Sequence, residues 1–220
     1  MDFQKVKAAI FDLDGTLLDT VADIGTGANI ALCQFGYPEH PVRFYRAKVG
    51  HGIKNLFRET LPEGTSEEEV DRVNSVYQQY YPANCTVLTD YFPGVQAFLD
   101  FLREKGIRLA VISNKTERTT LKIMDHYFPD YNWEFIWGNN GVRPLKPRLE
   151  AGYLACETLD LQPEEILYVG DGDTDMEFAS KMGFITVGVT WGYRDPDQLL
   201  AAGAELLVDS FEELQQKMGL

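Results

Sequence analysis

Near its amino end the sequence reads Val6-Lys-Ala-Ala-Ile-Phe-Asp12-Leu-Asp14-Gly-Thr16, a short apolar run that stops at two aspartates. The run has the length and character of a buried β-strand. Because a strand directs alternate residues to the same side, we expect Asp12 and Asp14 to face one site together. Two carboxylates so close repel each other unless a cation or a shared proton relieves them. The stretch therefore predicts an acidic site at the end of the first strand.

Apolar runs of the same kind recur along the chain, at Ile107–Ile112, Glu134–Trp137, Ile166–Val169, Phe184–Val189 and Leu206–Val208. Helical patterns separate them, at Val95–Lys105, Glu117–His126, Arg148–Leu159, Asp175–Met182 and Phe211–Met218. Strands that alternate with helices of this length indicate a mostly parallel sheet with helices on both faces. We therefore predict an α/β fold with a Rossmann-like sheet as its core.

The stretch between the first and second strands shows only helical patterns, at Val21–Phe35, Val42–Lys48, Ile53–Leu61 and Glu67–Tyr81. Helices in this position indicate an inserted α-helical cap subdomain. We expect the α/β core to comprise residues 1–18 and 88–220, and the helical cap to comprise residues 19–87.

Polar residues follow the predicted strands in four separate segments, which contain Asp12 and Asp14, Ser113 and Asn114, Lys146, and Asp171 and Asp175. In open parallel sheets, ligands bind at the carboxyl ends of the strands, so these segments are expected to converge. Four converging carboxylates would be strongly unfavourable without a cation. A hard divalent ion with oxygen ligands would stabilise them, and the sequence therefore predicts a Mg²⁺ site.

The chain has 220 residues and a net charge of −14, from 34 acidic and 20 basic residues. An acidic surface repels nucleic-acid phosphates and anionic lipids, so neither nucleic acid nor a membrane is expected as a partner. No apolar run approaches the roughly 18 residues that cross a bilayer, and the first residues do not resemble a signal peptide. The three cysteines form neither a disulfide framework nor a zinc-binding pattern. We therefore expect a cytoplasmic protein.

Four stretches resemble the four motifs of the haloacid dehalogenase superfamily, in the same order and over nearly the whole chain: Ile10–Thr20, Val111–Lys115, Lys146-Pro147 and Val169–Asp175. Within that superfamily the chain is most similar to the phosphoglycolate phosphatase subgroup, through the shorter stretches Val49–Gly52, Pro93–Val95 and Val189–Tyr193. The second proline that this subgroup often has after Lys-Pro is missing here. The resemblance implies a phosphatase with a helical cap.

The resemblance also implies catalytic roles. Asp12 is expected to act as the nucleophile and form an aspartyl-phosphate. Asp14 is expected to protonate the leaving oxygen and then to activate the hydrolytic water. Lys146 is expected to neutralise charge on the nucleophile and the phosphate.

Further residues receive binding roles. Ser113 and Asn114 are expected to bind phosphoryl oxygens at the amino end of a helix. Thr16 is expected to hydrogen-bond Asp14, and His51 in the cap is a candidate substrate contact. The implied Mg²⁺ ligands are Asp12, the Asp14 carbonyl and Asp171, with Asp175 orienting a metal-bound water.

These expectations describe a Mg²⁺-dependent phosphomonoester hydrolase that acts on a small phosphorylated metabolite, with phosphoglycolate as the first guess. A phosphosugar phosphatase, a pyrophosphatase or a phosphomutase of the same fold stays open as an alternative. A different class, a non-catalytic sensor of phosphorylated metabolites, would use the same pocket. A signalling receiver domain fits less well, because the second strand ends in Ser113 instead of an aspartate. The sequence leaves open whether the protein is a monomer or a homodimer.

Overall fold

The computed structural model describes residues 2–220, which form an α/β fold with one large parallel sheet. The strands are β1 (Ala8–Phe11), β2 (Leu18–Asp19), β3 (Asp90–Tyr91), β4 (Arg108–Thr116), β5 (Trp133–Asn139), β6 (Ile166–Gly170), β7 (Ile185–Val189) and β8 (Leu206–Val208). Six of them form the parallel sheet, in the order β5-β4-β1-β6-β7-β8. All six of these strands were predicted, and the predicted fold class is confirmed.

The helices lie between the strands: α1 (Val21–Gln34), α2 (Val42–Arg46), α3 (Ile53–Thr60), α4 (Glu67–Asn84), α5 (Val95–Glu104), α6 (Glu117–Tyr127), α7 (Glu150–Leu159), α8 (Asp173–Met182), α9 (Pro196–Ala202) and α10 (Phe211–Met218). The sequence analysis did not predict α9. Among the described residues, no helix is both long enough and apolar enough to span a bilayer.

Each face of the sheet has its own apolar cluster, because alternate side chains of a strand point to opposite faces. From β1, Ala9 and Phe11 belong to one cluster, and Ala8 and Ile10 belong to the other. The first cluster includes buried residues of α5, α6 and α10, and the second includes those of α7 and α8. Burying a side chain such as Phe11 contributes about 1.5–3 kcal/mol. The two clusters therefore hold the helices against the sheet.

Helices α1 to α4 form the inserted segment, and their buried residues join the apolar cluster that contains Phe11. The two ends of the segment are close together because β2 pairs with β3, with Leu18 opposite Tyr91. Asp23 at the start of α1 reinforces this junction, since its carboxylate accepts hydrogen bonds from the backbone N–H groups of Val87, Leu88 and Thr89. The segment thus leaves and re-enters the α/β core at one place.

Strand β1 lies in the middle of the sheet, between β4 and β6. The loops that follow these three strands therefore lie side by side at one edge. The tight turn after β1 is held by the Leu13 carbonyl, which accepts hydrogen bonds from three backbone N–H groups, those of Thr16, Leu17 and Leu18. This edge of the sheet carries the polar residues that the sequence singled out.

Candidate active site

Lys146, on the loop between β5 and α7, lies at the centre of the polar groups and is 4% exposed. Its ammonium donates hydrogen bonds to the Ile112 carbonyl at 2.7 Å, the Tyr168 hydroxyl at 2.9 Å and Asp175 Oδ1 at 2.6 Å. It also lies 2.9 Å from Asp12 Oδ1, within ion-pair distance but outside hydrogen-bond geometry, so this buried oxygen has no hydrogen bond from any residue that the structure describes. Burial opposes the charged ammonium, but the two carboxylates outweigh it and raise the pKa of Lys146.

Asp12, Asp171 and Asp175 form a buried group in which one carboxylate oxygen from each residue lies within 4.8 Å of the others. Burial, followed by the charge of Asp175, raises the pKa of Asp12 to about 7. Burial and the neighbouring carboxylates also raise the pKa of Asp171 well above its usual value. One buried ammonium does not balance three carboxylates. The hard oxygen donors, the excess negative charge and the unbonded Asp12 oxygen fit a divalent cation such as Mg²⁺.

The backbone packs tightly around Asp171, which follows β6. A Cβ atom added at Gly15, whose φ is +87°, would lie 2.2 Å from Asp171 Oδ2. A Cβ atom added at Gly192 would lie 2.1 Å from Asp171 Cβ. Both oxygens of Asp171 accept hydrogen bonds, Oδ1 from the Thr16 hydroxyl at 3.0 Å and Oδ2 from the Tyr193 N–H at 2.7 Å. The two glycines are therefore required for the position of this carboxylate.

Asp14 has a separate set of partners. Its carboxylate accepts hydrogen bonds from Lys115 Nζ at 2.8 and 2.9 Å and from the Thr20 hydroxyl at 2.6 Å. The expected hydrogen bond from Thr16 to Asp14 is wrong, because the Thr16 side chain reaches Asp171. Thr20 donates the hydrogen bond to Asp14 instead, because β2 brings the chain back toward Asp14. The Asp14 carboxylate is not part of the three-carboxylate group.

Ser113 and Asn114 are buried beside Lys146, but they do not lie at a helix amino end. Strand β4 continues through Thr116 and α6 begins only at Glu117, so that expectation is wrong. The Asn114 side chain binds backbone on both sides: its Oδ1 accepts from the Lys146 N–H, and its Nδ2 donates to the carbonyls of Lys146 and Gly50. Asn114 thus connects the loop that carries Lys146 to the inserted segment.

His51 lies between the inserted segment and the core, but it does not line the cavity described below. Its Nε2 atom is 3.1 Å from Asp173 Oδ2, and this hydrogen bond raises the pKa of His51. Arg194 shares the same carboxylate, and it also donates to the carbonyls of Arg46 and Val49. These contacts fasten the α2–α3 loop to the core.

A cavity of about 60 Å³ lies between the inserted segment and the sheet edge. Its polar wall comes from the core and includes Asp12, Asp14, Ser113, Asn114 and Lys115. Its apolar wall comes from the inserted helices and includes Ile24, Ile53, Leu56, Tyr77 and Tyr81. A cavity with a polar, charged wall on one side and an apolar wall on the other suits a small polar substrate that is held away from water.

The sequence analysis assigned no role to four residues that the structure places around the site: Thr20, Lys115, Tyr168 and Arg194. Lys115 and Thr20 occur within the motif stretches, so their closeness in sequence to the assigned residues could have indicated that they belong to the site. Tyr168 and Arg194 carried no such signal. Tyr168 is one residue of an apolar strand, and Arg194 reaches the inserted segment only through the fold.

Residues 9–189 match the family model described as haloacid dehalogenase-like hydrolase. The chain is 32% identical over 214 residues to the phosphoglycolate phosphatase of Nitrosospira multiformis, covering 94% of this chain and 93% of the relative. It is 30% identical over 222 residues to the phosphoglycolate phosphatase of Chromobacterium violaceum, with 99% of both chains covered. A crystal structure of a Lactobacillus delbrueckii protein is also similar, with a TM-score of 0.89, 30% identity and 99% of each chain covered.

Proposed function

Since the chain belongs to the haloacid dehalogenase-like hydrolases, we propose that it is a Mg²⁺-dependent phosphatase of small phosphorylated metabolites, with phosphoglycolate as the first candidate substrate. The superfamily resemblance expected from the sequence is confirmed by the family model. The observation that carries the proposal is the placement of Asp12 beside the buried Lys146 ammonium, 2.9 Å away, with Asp14 on the same cavity wall. The names of the two curated relatives support phosphoglycolate as the substrate to test first.

Asp12 would attack phosphorus through a carboxylate oxygen, so that an Asp12–phosphorus bond forms and the bond from phosphorus to the ester oxygen breaks. Asp14 would give its proton to the departing oxygen. It would then take a proton from a water molecule as that water attacks phosphorus and releases inorganic phosphate from Asp12. Lys146 would hold Asp12 in position and stabilise the negative charge that the transferring phosphoryl group carries.

Asp12, Asp171 and Asp175 are the side chains that would hold Mg²⁺, which would supply the positive charge that keeps Asp12 ionised and neutralises the phosphoryl group. The buried carboxylates need such a partner because burial favours their neutral forms. The backbone carbonyl of Asp14 would be a further ligand of Mg²⁺. Asp175 has a second role, since it holds the Lys146 ammonium at 2.6 Å.

The inserted helices would act as a cap that excludes water during the reaction. We propose that the division into a core of residues 1–18 and 88–220 and a cap of residues 19–87 is functional, with movement at the β2–β3 pair. Ser113 and Asn114 would border the phosphoryl position, and Thr16 would steady Asp171. We also propose that the enzyme acts in the cytoplasm.

The direct test is release of inorganic phosphate from a panel that contains phosphoglycolate, several sugar phosphates and pyrophosphate, each assayed with Mg²⁺ and with EDTA. We expect Mg²⁺-dependent release, strongest for one small ester. The Asp12→Asn variant should fold normally and release no phosphate. Appearance of an isomeric phosphate without release would identify a phosphomutase. Binding without turnover by the wild type would favour the sensor and would refute the phosphatase.

A further inference from the structure

The loop that follows β7 packs against Asp171 and helps to fix its carboxylate. The Tyr193 N–H donates to Asp171 Oδ2 at 2.7 Å, and Gly192 lies so close that an added Cβ atom would be 2.1 Å from Asp171 Cβ. The Trp191 indole N–H donates at 3.1 Å to the carbonyl of Thr16, whose hydroxyl bonds the other Asp171 oxygen. The position of the Asp171 carboxylate therefore depends on the position of this loop.

The same loop is bonded to the α2–α3 region of the inserted segment in both directions. Arg46 of α2 donates to the Gly192 carbonyl at 2.6 Å, and its guanidinium lies over the Tyr193 ring, 5.3 Å from the centroid. In return, Arg194 donates to the carbonyls of Arg46 at 3.1 Å and Val49 at 2.8 Å. Arg194 is 8% exposed, so its hydrogen bonds are shielded from water. The two arginines thus join the loop after β7 to the cap.

The hydroxyl of Tyr193 links this loop to the place where the chain enters the inserted segment. It accepts hydrogen bonds from the N–H groups of Thr20 and Val21, at 2.9 and 3.1 Å, and donates to Asp19 Oδ1 at 3.0 Å. These contacts adjoin the β2–β3 pair, where the proposed cap movement takes place, so they would persist during that movement. The guanidinium contacts lie farther along the inserted segment and would break if its helices moved away from the core.

We propose that the loop after β7 couples the metal site to closure of the cap, so that Mg²⁺ binding and docking of the α2–α3 region stabilise each other. This inference rests on the proposed function, because it takes Asp171 as a ligand of Mg²⁺. While Arg46 and Arg194 hold the loop, the Asp171 carboxylate is fixed for the cation, and when they are released it loses that restraint. Coupling of this kind is reciprocal: a cation that binds the docked form more tightly favours docking by the same factor.

The sign of the effect on Mg²⁺ binding separates this coupling from simple electrostatics. Removing a positive charge near the three carboxylates should strengthen the binding of a cation, because like charges repel. Coupling predicts the opposite for Arg46, since losing its contacts with the loop should weaken binding. Arg46 is partly exposed, so the Arg46→Met variant should fold, and thermal unfolding verifies that it does.

The first measurement is calorimetric titration of Mg²⁺ into the metal-free protein without substrate. Arg46→Met should raise the dissociation constant at least about 5-fold, the lower end of the range for coupled sites. Arg46→Lys should have a smaller effect, because it keeps the charge but loses the guanidinium fork. Arg43→Met is the matched control: Arg43 lies on the same helix and is exposed, so its loss removes the same charge and should not weaken binding.

The second measurement is deuterium exchange of backbone amides, followed by mass spectrometry, with Mg²⁺ and with EDTA. Mg²⁺ should slow exchange in residues 47–52 of the wild type and of Arg43→Met, because docking opposes local opening of this segment. In Arg46→Met, exchange there should be faster without metal, and Mg²⁺ should slow it less.

Three results would overturn the inference alone: unchanged or tighter Mg²⁺ binding by Arg46→Met, equal weakening by Arg43→Met, or exchange in residues 47–52 of the wild type that does not respond to Mg²⁺. A wild type that binds no Mg²⁺ would refute the metal site of the proposed function, and the inference with it.

Discussion

Replacing Lys146 with methionine removes the cation that lies between two buried carboxylates. At an effective dielectric constant of about 20, each of its ion pairs, at 2.9 Å to Asp12 and 2.6 Å to Asp175, contributes about 6 kcal/mol of Coulomb attraction. The cost of removing water from the ammonium offsets most of that attraction. Breaking a buried pair from one side still leaves unpaired charge, so the free energy of unfolding should fall by about 3–5 kcal/mol.

The same substitution should lower kcat about 10²- to 10³-fold, because a preorganised positive charge at the reacting group is lost. Urea unfolding without metal measures the stability, and phosphate release with saturating Mg²⁺ measures kcat. Lys181→Met is the matched control: Lys181 Nζ also lies 2.6 Å from a carboxylate, that of Glu177, but its side chain is 58% exposed. The control should change stability by less than about 1 kcal/mol and leave kcat unchanged.

Equal stability losses in the two lysine variants would refute the argument from burial. A kcat for Lys146→Met within a few-fold of the wild-type value would place Lys146 outside the chemistry. Mg²⁺ should also raise the thermal stability of Lys146→Met by more than it raises that of the wild type. The reason is that removing the neighbouring positive charge favours a cation at the three carboxylates.

Three other substitutions test the surroundings of the site. Gly192→Ala places a Cβ atom 2.1 Å from Asp171 Cβ, and this overpacking should cost about 1–3 kcal/mol in thermal unfolding and weaken Mg²⁺ binding in calorimetry. Asp23→Ala should lower the free energy of unfolding by about 1.5–3 kcal/mol in urea titrations, because three backbone N–H groups lose a charged acceptor; an unchanged midpoint would contradict this. His51→Gln should lower the free energy of unfolding by a few tenths to about 1 kcal/mol, since the side chains of the His51–Asp173 pair are 32% and 41% exposed. The pKa of His51 is raised in the folded state, so this loss should be full below about pH 6.5 and should disappear as the pH rises through the folded-state pKa; a loss that grows with pH would show that another group is responsible.

The order of apolar runs and polar residues along the chain was sufficient to predict the parallel sheet, the inserted helices and the segments that meet at the sheet edge. These features depend on local periodicity and on the rule that parallel strands end at one edge, both of which can be read without coordinates. Asp12, Lys146 and Asp171 were predicted on this basis, and the structure brings them together.

The individual hydrogen bonds could not be predicted in the same way. Thr16 and Thr20 are both close to Asp14 in sequence, and only the turn between β1 and β2 decides that Thr20 donates to Asp14 while Thr16 reaches Asp171. The helix after β4 begins at Glu117 as predicted, but the strand was predicted to end at Ile112 and continues to Thr116. Ser113 and Asn114 therefore lie on the strand and not at the amino end of the helix.

Contacts between the inserted segment and the core were decided entirely by tertiary structure. Tyr81 follows an ordinary amphipathic pattern in α4, and nothing local distinguishes it from a core tyrosine. It reaches the site only because α4 packs over the edge of the sheet and brings its ring under the Lys115 ammonium, which lies 4.8 Å from the ring centroid. The sequence by itself determined which residues carry charge and on which strand ends they lie, since both follow from the order of residues. Only the tertiary structure determined which of those charges are paired, because pairing depends on distances between segments far apart in the chain.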